Sequence, residues 1–323
     1  MKIGFIGSGN IALTVGKTLK QMKEITLEAC SSNDLKKAQK LQKELGFKKA
    51  YGNYEDLLND ENIELVYINN IPSMHKDCII QALNHGKNVI CEKPFTLNYN
   101  EAIECINLAK EKNLFLTEAT WTRYMPYIDI IKYLLDSKII GEIYSLNASL
   151  SYDVFKKVRI LDKKCGGGAL GDIGVYPINF AFIVFGSSFN KLLSYQTFTS
   201  SGVDESDYII LEYPNNVTAS LMASIRGQGD RNGIIYGEKG YIEVVNINNP
   251  EYINVYLTST EGYHQMEKVS SIKITNKISG YEYEFYESIE AIENRKIETK
   301  SYTHQDILEV MKTLDLINKK SIH

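Results

Sequence analysis

The chain has 323 residues, 44% of them hydrophobic and 24% charged, with a formal net charge of −4. Domains run to roughly 100–200 residues, so two are expected, and the composition excludes wholesale disorder. It also offers no excess of basic charge for a nucleic-acid or anionic-membrane surface.

The predicted elements begin with a strand at Lys2–Ile6 and a helix at Ile11–Met22. Glycines interrupt the short apolar opening, Met1-Lys2-Ile3-Gly4-Phe5-Ile6-Gly7, so it does not read as a signal peptide. Ile25–Ser31 is a second strand. Asp34–Leu45 follows as a charged helix, with Leu35, Ala38, Leu41 and Leu45 on one face and Asn33-Asp34 as its cap. Leu65–Ile68 is a strand and Ser73–His85 a helix that Gly86 stops. Asn88–Cys91, a helix at Asn100–Lys112 and a strand at Leu114–Thr117 complete the first third. Strands alternating with helices imply a parallel sheet covered on both faces.

The texture changes near residue 120. Ile128–Leu135 is helical and Glu142–Tyr152 alternates like a strand. Gly166-Gly167-Gly168 leads into an apolar helix ending near Phe185. Strand-like runs then follow at Lys191–Thr199, Tyr208–Tyr213, Thr218–Ile225, Gly233–Tyr236, Tyr241–Val245, Asn254–Thr258 and Val269–Ile274. Helices at about Gly280–Asn294 and Thr303–Asn318 close the chain. Consecutive strands with few helices predict a largely antiparallel open sheet in an α+β domain. The boundary falls near 118–124, giving domains of 1–120 and 121–323. No apolar run approaches the ~20 residues of a membrane helix. Five cysteines, Cys30, Cys78, Cys91, Cys105 and Cys165, with no Cys-x-x-Cys pair, argue against a disulfide framework or structural zinc and for a reducing cytoplasm.

Between the first strand and helix lies Gly7-Ser8-Gly9-Asn10-Ile11-Ala12, a G-x-G-x-x-A sequence where a dinucleotide-binding, Rossmann-type sheet requires it. Gly7 permits the tight turn, Gly9 lets the backbone approach a pyrophosphate, and Ala12 keeps the helix close to the sheet. Gly7, Ser8, Gly9, Asn10 and Ile11 are the expected phosphate contacts, with the helix N-terminus supplying N–H groups. At the tip of the second strand Ser31, Ser32 and Asn33 should meet the ribose 2′ position. Glu28 lies inside the strand, so no acid stands at the tip. That favours NADP over NAD.

Glu92-Lys93-Pro94 follows the fourth predicted strand. A lysine at the carboxyl end of a parallel strand faces the ligand crevice, and Pro94 keeps Lys93 out of helical geometry. The alternative is a surface lysine paired with Glu92. Further on, Gly171-Asp172-Ile173-Gly174-Val175-Tyr176-Pro177 puts Asp172 and Tyr176 four apart on one helix face. Pro177 should kink that helix. An acid, a tyrosine and a lysine suit alcohol–carbonyl redox chemistry. A tyrosine pKa near ~10 needs a cation nearby for it to act as a base at neutral pH.

In this order the pieces resemble the Gfo/Idh/MocA oxidoreductases, over essentially the whole chain. The stretch Glu118-Ala119-Thr120-Trp121-Thr122-Arg123-Tyr124-Met125-Pro126, with Asp172 to Tyr176, is similar to the dimeric dihydrodiol dehydrogenase branch. The resemblance implies hydride transfer between NAD(P) and a secondary alcohol or carbonyl of a sugar, polyol or trans-dihydrodiol. It implies Lys93, Tyr176 and Asp172 as catalytic residues, with Tyr176 exchanging the hydroxyl proton, and it places His75, Glu92, Lys93 and Pro94 near the cofactor. Asn69-Asn70-Ile71-Pro72 departs from the family's Thr-Pro pair, and Asn69 is carried as that loop's cofactor contact. Trp121 and Arg123 would join Asp172 and Tyr176 at the substrate; their alternatives are core packing and an interdomain ion pair. The tyrosines between 236 and 286 read as a sheet surface, which in such proteins forms a homodimer. Two other classes share this fold, an NAD-dependent glycosidase and a non-catalytic NAD(P)/sugar sensor; Tyr176 counts against the first and Lys93 against the second. No metal site is expected, since His85, His264, His304 and His323 lack ligand spacing. The paired lysines at 36–37, 48–49, 156–157 and 163–164 read as solvated faces.

Overall fold

The computed structural model describes residues 1–259 and 265–320; His264 and His323 lie outside them. The chain divides into two compact units. The first comprises Met1–Tyr124 and Lys277–Met311, and the second Met125–Asn276 and the chain from Lys312.

The first unit opens with β1 (Lys2–Ile6), α1 (Asn10–Leu19), β2 (Thr26–Ser31), α2 (Leu35–Leu45), β3 (Lys49–Tyr51) and α3 (Tyr54–Leu58). It continues with β4 (Leu65–Ile68), α4 (His75–Asn84), β5 (Asn88–Glu92), α5 (Tyr99–Lys112) and β6 (Leu116–Ala119). The strands form one parallel sheet in the order β3-β2-β1-β4-β5-β6, with the chain reversing direction between β1 and β4. Ligands bind such sheets at that reversal, outside the carboxyl ends of the strands. Strands buried on both faces carry the core: Ile3, Phe5, Tyr67 and Ile90 are all fully buried. The Phe5 ring meets Phe47 at 5.0 Å and Tyr67 at 4.9 Å, both edge-on. The expected cap of α2 is present, Asp34 Oδ1 accepting the Lys36 N–H at 2.9 Å. β3 and α3 were not expected. β3 has only three residues, and Lys49 on it is not a merely solvated lysine: it pairs with buried Asp60 at 2.7 Å.

Residues Lys277–Met311 return to this unit and bring in α8 (Glu282–Glu293) and the start of α9 (His304–Lys320). Phe285 of α8 packs edge-on against Tyr67 at 5.5 Å. Burying such a ring contributes roughly 2–3 kcal/mol. The Leu116 N–H donates to the Ile297 carbonyl at 3.0 Å, so the returning chain occupies the outer edge of β6. A continuous reading of 121–323 as one domain does not anticipate this return. A helix's apolar stripe shows that a face is buried, not which sheet buries it.

The second unit holds α6 (Tyr127–Asp136), β7 (Ile143–Ser151), α7 (Val175–Phe185), β8 (Lys191–Phe198), β9 (Asp204–Glu212) and β10 (Thr218–Ser224). Then follow β11 (Gly233–Gly237), β12 (Gly240–Val245), β13 (Tyr252–Thr258) and β14 (Met266–Lys273). Their order is β14-β13-β12-β11-β7-β10-β9-β8, antiparallel except for the parallel β7–β10 pair. α7 packs on β7 and β10. The stretch Lys163–Phe185 is long and apolar enough by composition to span a membrane, which the sequence reading did not foresee, but 72% of its apolar window is buried inside the protein. Alternation puts Leu192, Ile209 and Leu211 inside. On the opposite face Tyr144, Leu193, Tyr195, Tyr208 and Ile210 are each 45–55% exposed. Tyr236, Tyr241 and Tyr256 extend the tyrosine row across β11, β12 and β13, the last pair stacked at 4.5 Å.

Candidate active site

The β1–α1 turn carries the G-x-G-x-x-A sequence. Gly7 has φ +119°, and a Cβ there would lie 2.5 Å from Asn69 Oδ1, at the end of β4. Glycine is therefore required by both the backbone angle and the close approach of Asn69. Gly9 precedes α1 with extended angles, and an added Cβ would meet nothing within 4 Å. That open space lies before a ten-residue helix with no acidic residue in its first turn. The Asn69 Oδ1 atom is buried without a hydrogen-bond partner. The open cradle before the N–H groups of α1 fits a dinucleotide pyrophosphate, while Asn69 Oδ1, an acceptor whose Nδ2 is turned to the Tyr67 carbonyl, suits a hydroxyl or amide N–H of the same ligand rather than a phosphate oxygen. Asn10, Ile11 and Gly9 border the cradle, and Ser8 Oγ bonds Ser32 Oγ at 3.1 Å.

At the tip of β2, Ser31 is fully buried and its hydroxyl donates to the Phe5 carbonyl at 3.1 Å. Ser32 is buried and Asn33 exposed. Glu28 is buried in a 2.7 Å ion pair with Lys48, which takes it away from the strand tip.

The turn after β5 is held by three buried side chains acting on successive residues. Glu92 Oε2 accepts the Lys93 N–H at 3.3 Å. His75 Nδ1 lies 2.9 Å from the Pro94 carbonyl. A carbonyl only accepts, and Nε2 lies farther, 3.4 Å, from the Asn70 carbonyl, so the shorter contact places the proton on Nδ1. Burial lowers the His75 pKa to about 4, so the ring is neutral near pH 7. Glu118 Oε1 accepts the Phe95 N–H at 2.8 Å. The Lys93–Pro94 peptide is cis. Lys93 itself is half-buried. Glu92 is fixed in turn by the Tyr67 hydroxyl.

Trp121 and Arg123 follow β6 in a short 3-10 turn, and both are buried. The Trp121 indole stacks on Tyr281 at 4.1 Å, nearly coplanar. Arg123 Nη2 pairs with Asp306 Oδ1 at 3.1 Å, and its guanidinium lies 4.8 Å from the Tyr302 ring centre. The Trp121 stack is the packing alternative that the sequence left open, whereas the Arg123 pair lies within the first unit instead of between domains.

In the second unit Asp172 lies in a π-helical turn, Leu170–Gly174, that runs directly into α7, where Tyr176 is buried. The expected proline distortion falls here, one turn before Pro177. Pro177 cannot donate to Ile173, and its ring crowds that carbonyl, which widens the turn. Asp172 Oδ1 takes Arg159 Nη2 at 3.2 Å, a partner the sequence reading did not single out. The turn is tethered by Asp204, whose Oδ2 accepts the Leu170 N–H at 2.5 Å. Gly168, at φ +127°, has no room for a Cβ against that carboxylate. Asp207 is buried beside Asp204, and burial with the neighbouring charge pushes its carboxyl well up. Buried Glu118, Glu284 and Asp207, and half-buried Asp204, were all missed. The only available signal was an acid inside an apolar stretch, as in Leu116-Thr117-Glu118-Ala119. Among the described residues, no three His, Cys, Asp or Glu side chains are placed to hold a metal ion.

Residues 1–120 match the oxidoreductase family with an NAD-binding Rossmann fold, and residues 128–243 match the GFO/IDH/MocA C-terminal domain. The trans-1,2-dihydrobenzene-1,2-diol dehydrogenase of Xenopus tropicalis is 36% identical over 217 residues, 67% of this chain and 66% of that relative, just under two thirds of its length. The Mus musculus enzyme of the same name is 30% identical over 247 residues, 76% of this chain and 74% of the relative. Among solved structures, KijD10, a 3-ketoreductase from Actinomadura kijaniata in complex with NADP and TDP-benzene, superposes with a TM-score of 0.90 at 22% identity, covering 99% of this chain and 98% of that one. Levoglucosan dehydrogenase in complex with NADH and levoglucosan gives 0.85 at 18%, covering 99% and 96%. At those identities the two structures speak for the fold alone. The motif order, the parallel sheet with its glycine turn and the matches to both domains agree: the chain belongs to the GFO/IDH/MocA family of oxidoreductases.

Proposed function

We propose that the protein transfers a hydride between NADP and a secondary alcohol or carbonyl carbon of a sugar, polyol or trans-dihydrodiol. The observation that carries this reading is the Lys93 turn, where three buried side chains fix consecutive backbone groups at the carboxyl end of β5. Rigid support of that kind is what a group acting on a reacting atom needs. The nicotinamide, when bound, takes up or gives the hydride. Gly7 to Ile11 hold its pyrophosphate, with Asn69 beside them. Lys93 acts on the reacting oxygen, Tyr176 exchanges its proton, and Asp172 orients a second hydroxyl. The first unit takes the nucleotide and the second the substrate. The lack of an acid at the tip of β2 supports NADP, with Ser32 and Asn33 at the 2′ position. Ser31 contributes through its place in the backbone there, since its hydroxyl is turned to Phe5. Four buried free cysteines support a reducing cytoplasm.

The test is absorbance at 340 nm with NADP and with NAD, across sugars, polyols, levoglucosan and trans-1,2-dihydrobenzene-1,2-diol. Reduction of NADP by at least one of them, faster than of NAD, is expected. Free sugar released from an aryl glycoside with no net absorbance change would instead place the chain with the glycosidases.

We also propose that a second copy covers the exposed face of the eight-stranded sheet. The apolar row on its β8 and β9 edge, Leu193, Tyr195, Tyr208 and Ile210, is the kind of contiguous patch that monomers rarely leave in water. Light scattering should give about twice the 36.7 kDa chain mass. The single-chain mass at micromolar concentration would contradict a dimer.

A further inference from the structure

The geometry points to Glu118 as a positioning residue for Lys93: from the end of β6 its carboxylate holds the Lys93 turn on one oxygen and the returning segment on the other. The inference rests on the proposed role of Lys93 and deepens it. Glu118 is 1% exposed. Its Oε1 accepts the Phe95 N–H and its Oε2 accepts the Tyr302 hydroxyl, each at 2.8 Å. A buried carboxylate is costly unless its oxygens are satisfied, and an apolar side chain would fill the same space without that cost. What the acid adds is direction. It fixes the Phe95 amide two residues beyond Lys93, while His75 holds the intervening Pro94 carbonyl.

The groups around Glu118 come from each neighbouring element. Tyr124 and Arg123 follow β6, and the Tyr124 hydroxyl donates to the Glu118 main-chain carbonyl at 3.1 Å. Glu92 and Lys93 end β5, and His75 opens α4. Tyr302, Glu284, Glu287 and Asp306 belong to the returning segment. Burial, reinforced by the Glu92 charge, raises the Glu118 pKa to about 7. Near neutrality Glu118 therefore passes between a carboxylate that accepts both donors and an acid that must remake one of the two bonds. The hold on the Phe95 amide should vary across that range.

The test compares the full-length wild type with Glu118→Ala and Glu118→Gln, by hydrogen–deuterium exchange of peptides covering 93–98 and by turnover. In Glu118→Ala we expect exchange there at least tenfold faster, with the β1 and β4 peptides unchanged. Turnover should fall about tenfold, with NADP affinity within twofold. Glu118→Gln keeps an oxygen acceptor, so it should recover most of the turnover. Its protection, corrected for intrinsic exchange, should be flat between pH 6 and 8, where the wild type's changes. Unchanged protection at 93–98 in Glu118→Ala, or a loss spread evenly over the sheet, would overturn the assignment. So would a Glu118→Gln protein with the wild-type pH dependence, which decides the matter even if Glu118→Ala fails to fold. A wild type that oxidises none of the substrates would remove the proposed function, while the exchange comparison still decides whether Glu118 holds the turn.

Discussion

Lys93→Met is expected to lower turnover by about a hundred- to a thousandfold, equivalent to roughly 3–4 kcal/mol, the range for a preorganised contact to a charge that develops only in the transition state. NADP affinity should stay within a few fold. Three bonds that fix the turn run through the Lys93 N–H, the Pro94 carbonyl and the Phe95 N–H, main-chain groups that the substitution leaves in place. Methionine keeps the chain length and removes the charge, so Glu92, His75 and Glu118 should keep their places. In the proposed site the phosphates would be held elsewhere, at the β1–α1 turn, mainly by backbone groups. A contact made only in the transition state lowers kcat and kcat/KM together. Both constants and the NADP dissociation constant should be measured on one sample. A large loss of NADP binding with near-normal turnover at saturation would make Lys93 a cofactor ligand, and Tyr176 would then need another cation.

What could be read from the sequence was what is local. The Gly7 turn and the lysine after β5 are short segments whose chemistry depends on their neighbours in sequence, and strand–helix alternation orders them. The Asp172 and Tyr176 spacing was legible for the same reason. The π-turn was only half legible: Pro177 announces a distortion, but where it settles depends on Asp204 and Gly168, one of them 32 residues beyond Asp172 in sequence. The return of Lys277–Met311 was not legible at all, because an amphipathic helix such as α8 can bury Phe285 against either sheet. The buried acids were hidden more deeply. Hydropathy treats Glu118 and Glu284 as surface residues, and only the three-dimensional neighbourhood shows them enclosed. Both Glu284 oxygens are buried without a hydrogen-bond partner, and burial with the nearby Glu92 and Glu282 charges pushes its carboxyl well up. Trp121 and Arg123 carried two readings each, and the structure supplies the aromatic and acidic partners that the sequence could not pair with them.

Gly9→Leu should abolish measurable NADP binding, by at least about a hundredfold, in a protein that still folds. The two glycines of the turn differ in what they tolerate. At Gly7 the left-handed φ of +119° and the 2.5 Å approach of Asn69 make any side chain a folding lesion, so a loss of binding there would be uninformative. At Gly9 the angles, φ −76° and ψ −175°, are extended ones that any residue adopts, and an added Cβ meets nothing within 4 Å. The cost to stability is then mainly that of replacing glycine by leucine at a helix N-cap, about 1 kcal/mol. The leucine side chain projects into the open space before α1, where the pyrophosphate must approach the backbone, and displaces it. Binding is read by fluorescence titration with NADPH and folding by the melting curve of the same sample. Loss of NADPH binding with the melting temperature lowered by only a few degrees is the expected pair of results. Unchanged affinity in a folded Gly9→Leu protein would mean that the nucleotide does not lie over this turn.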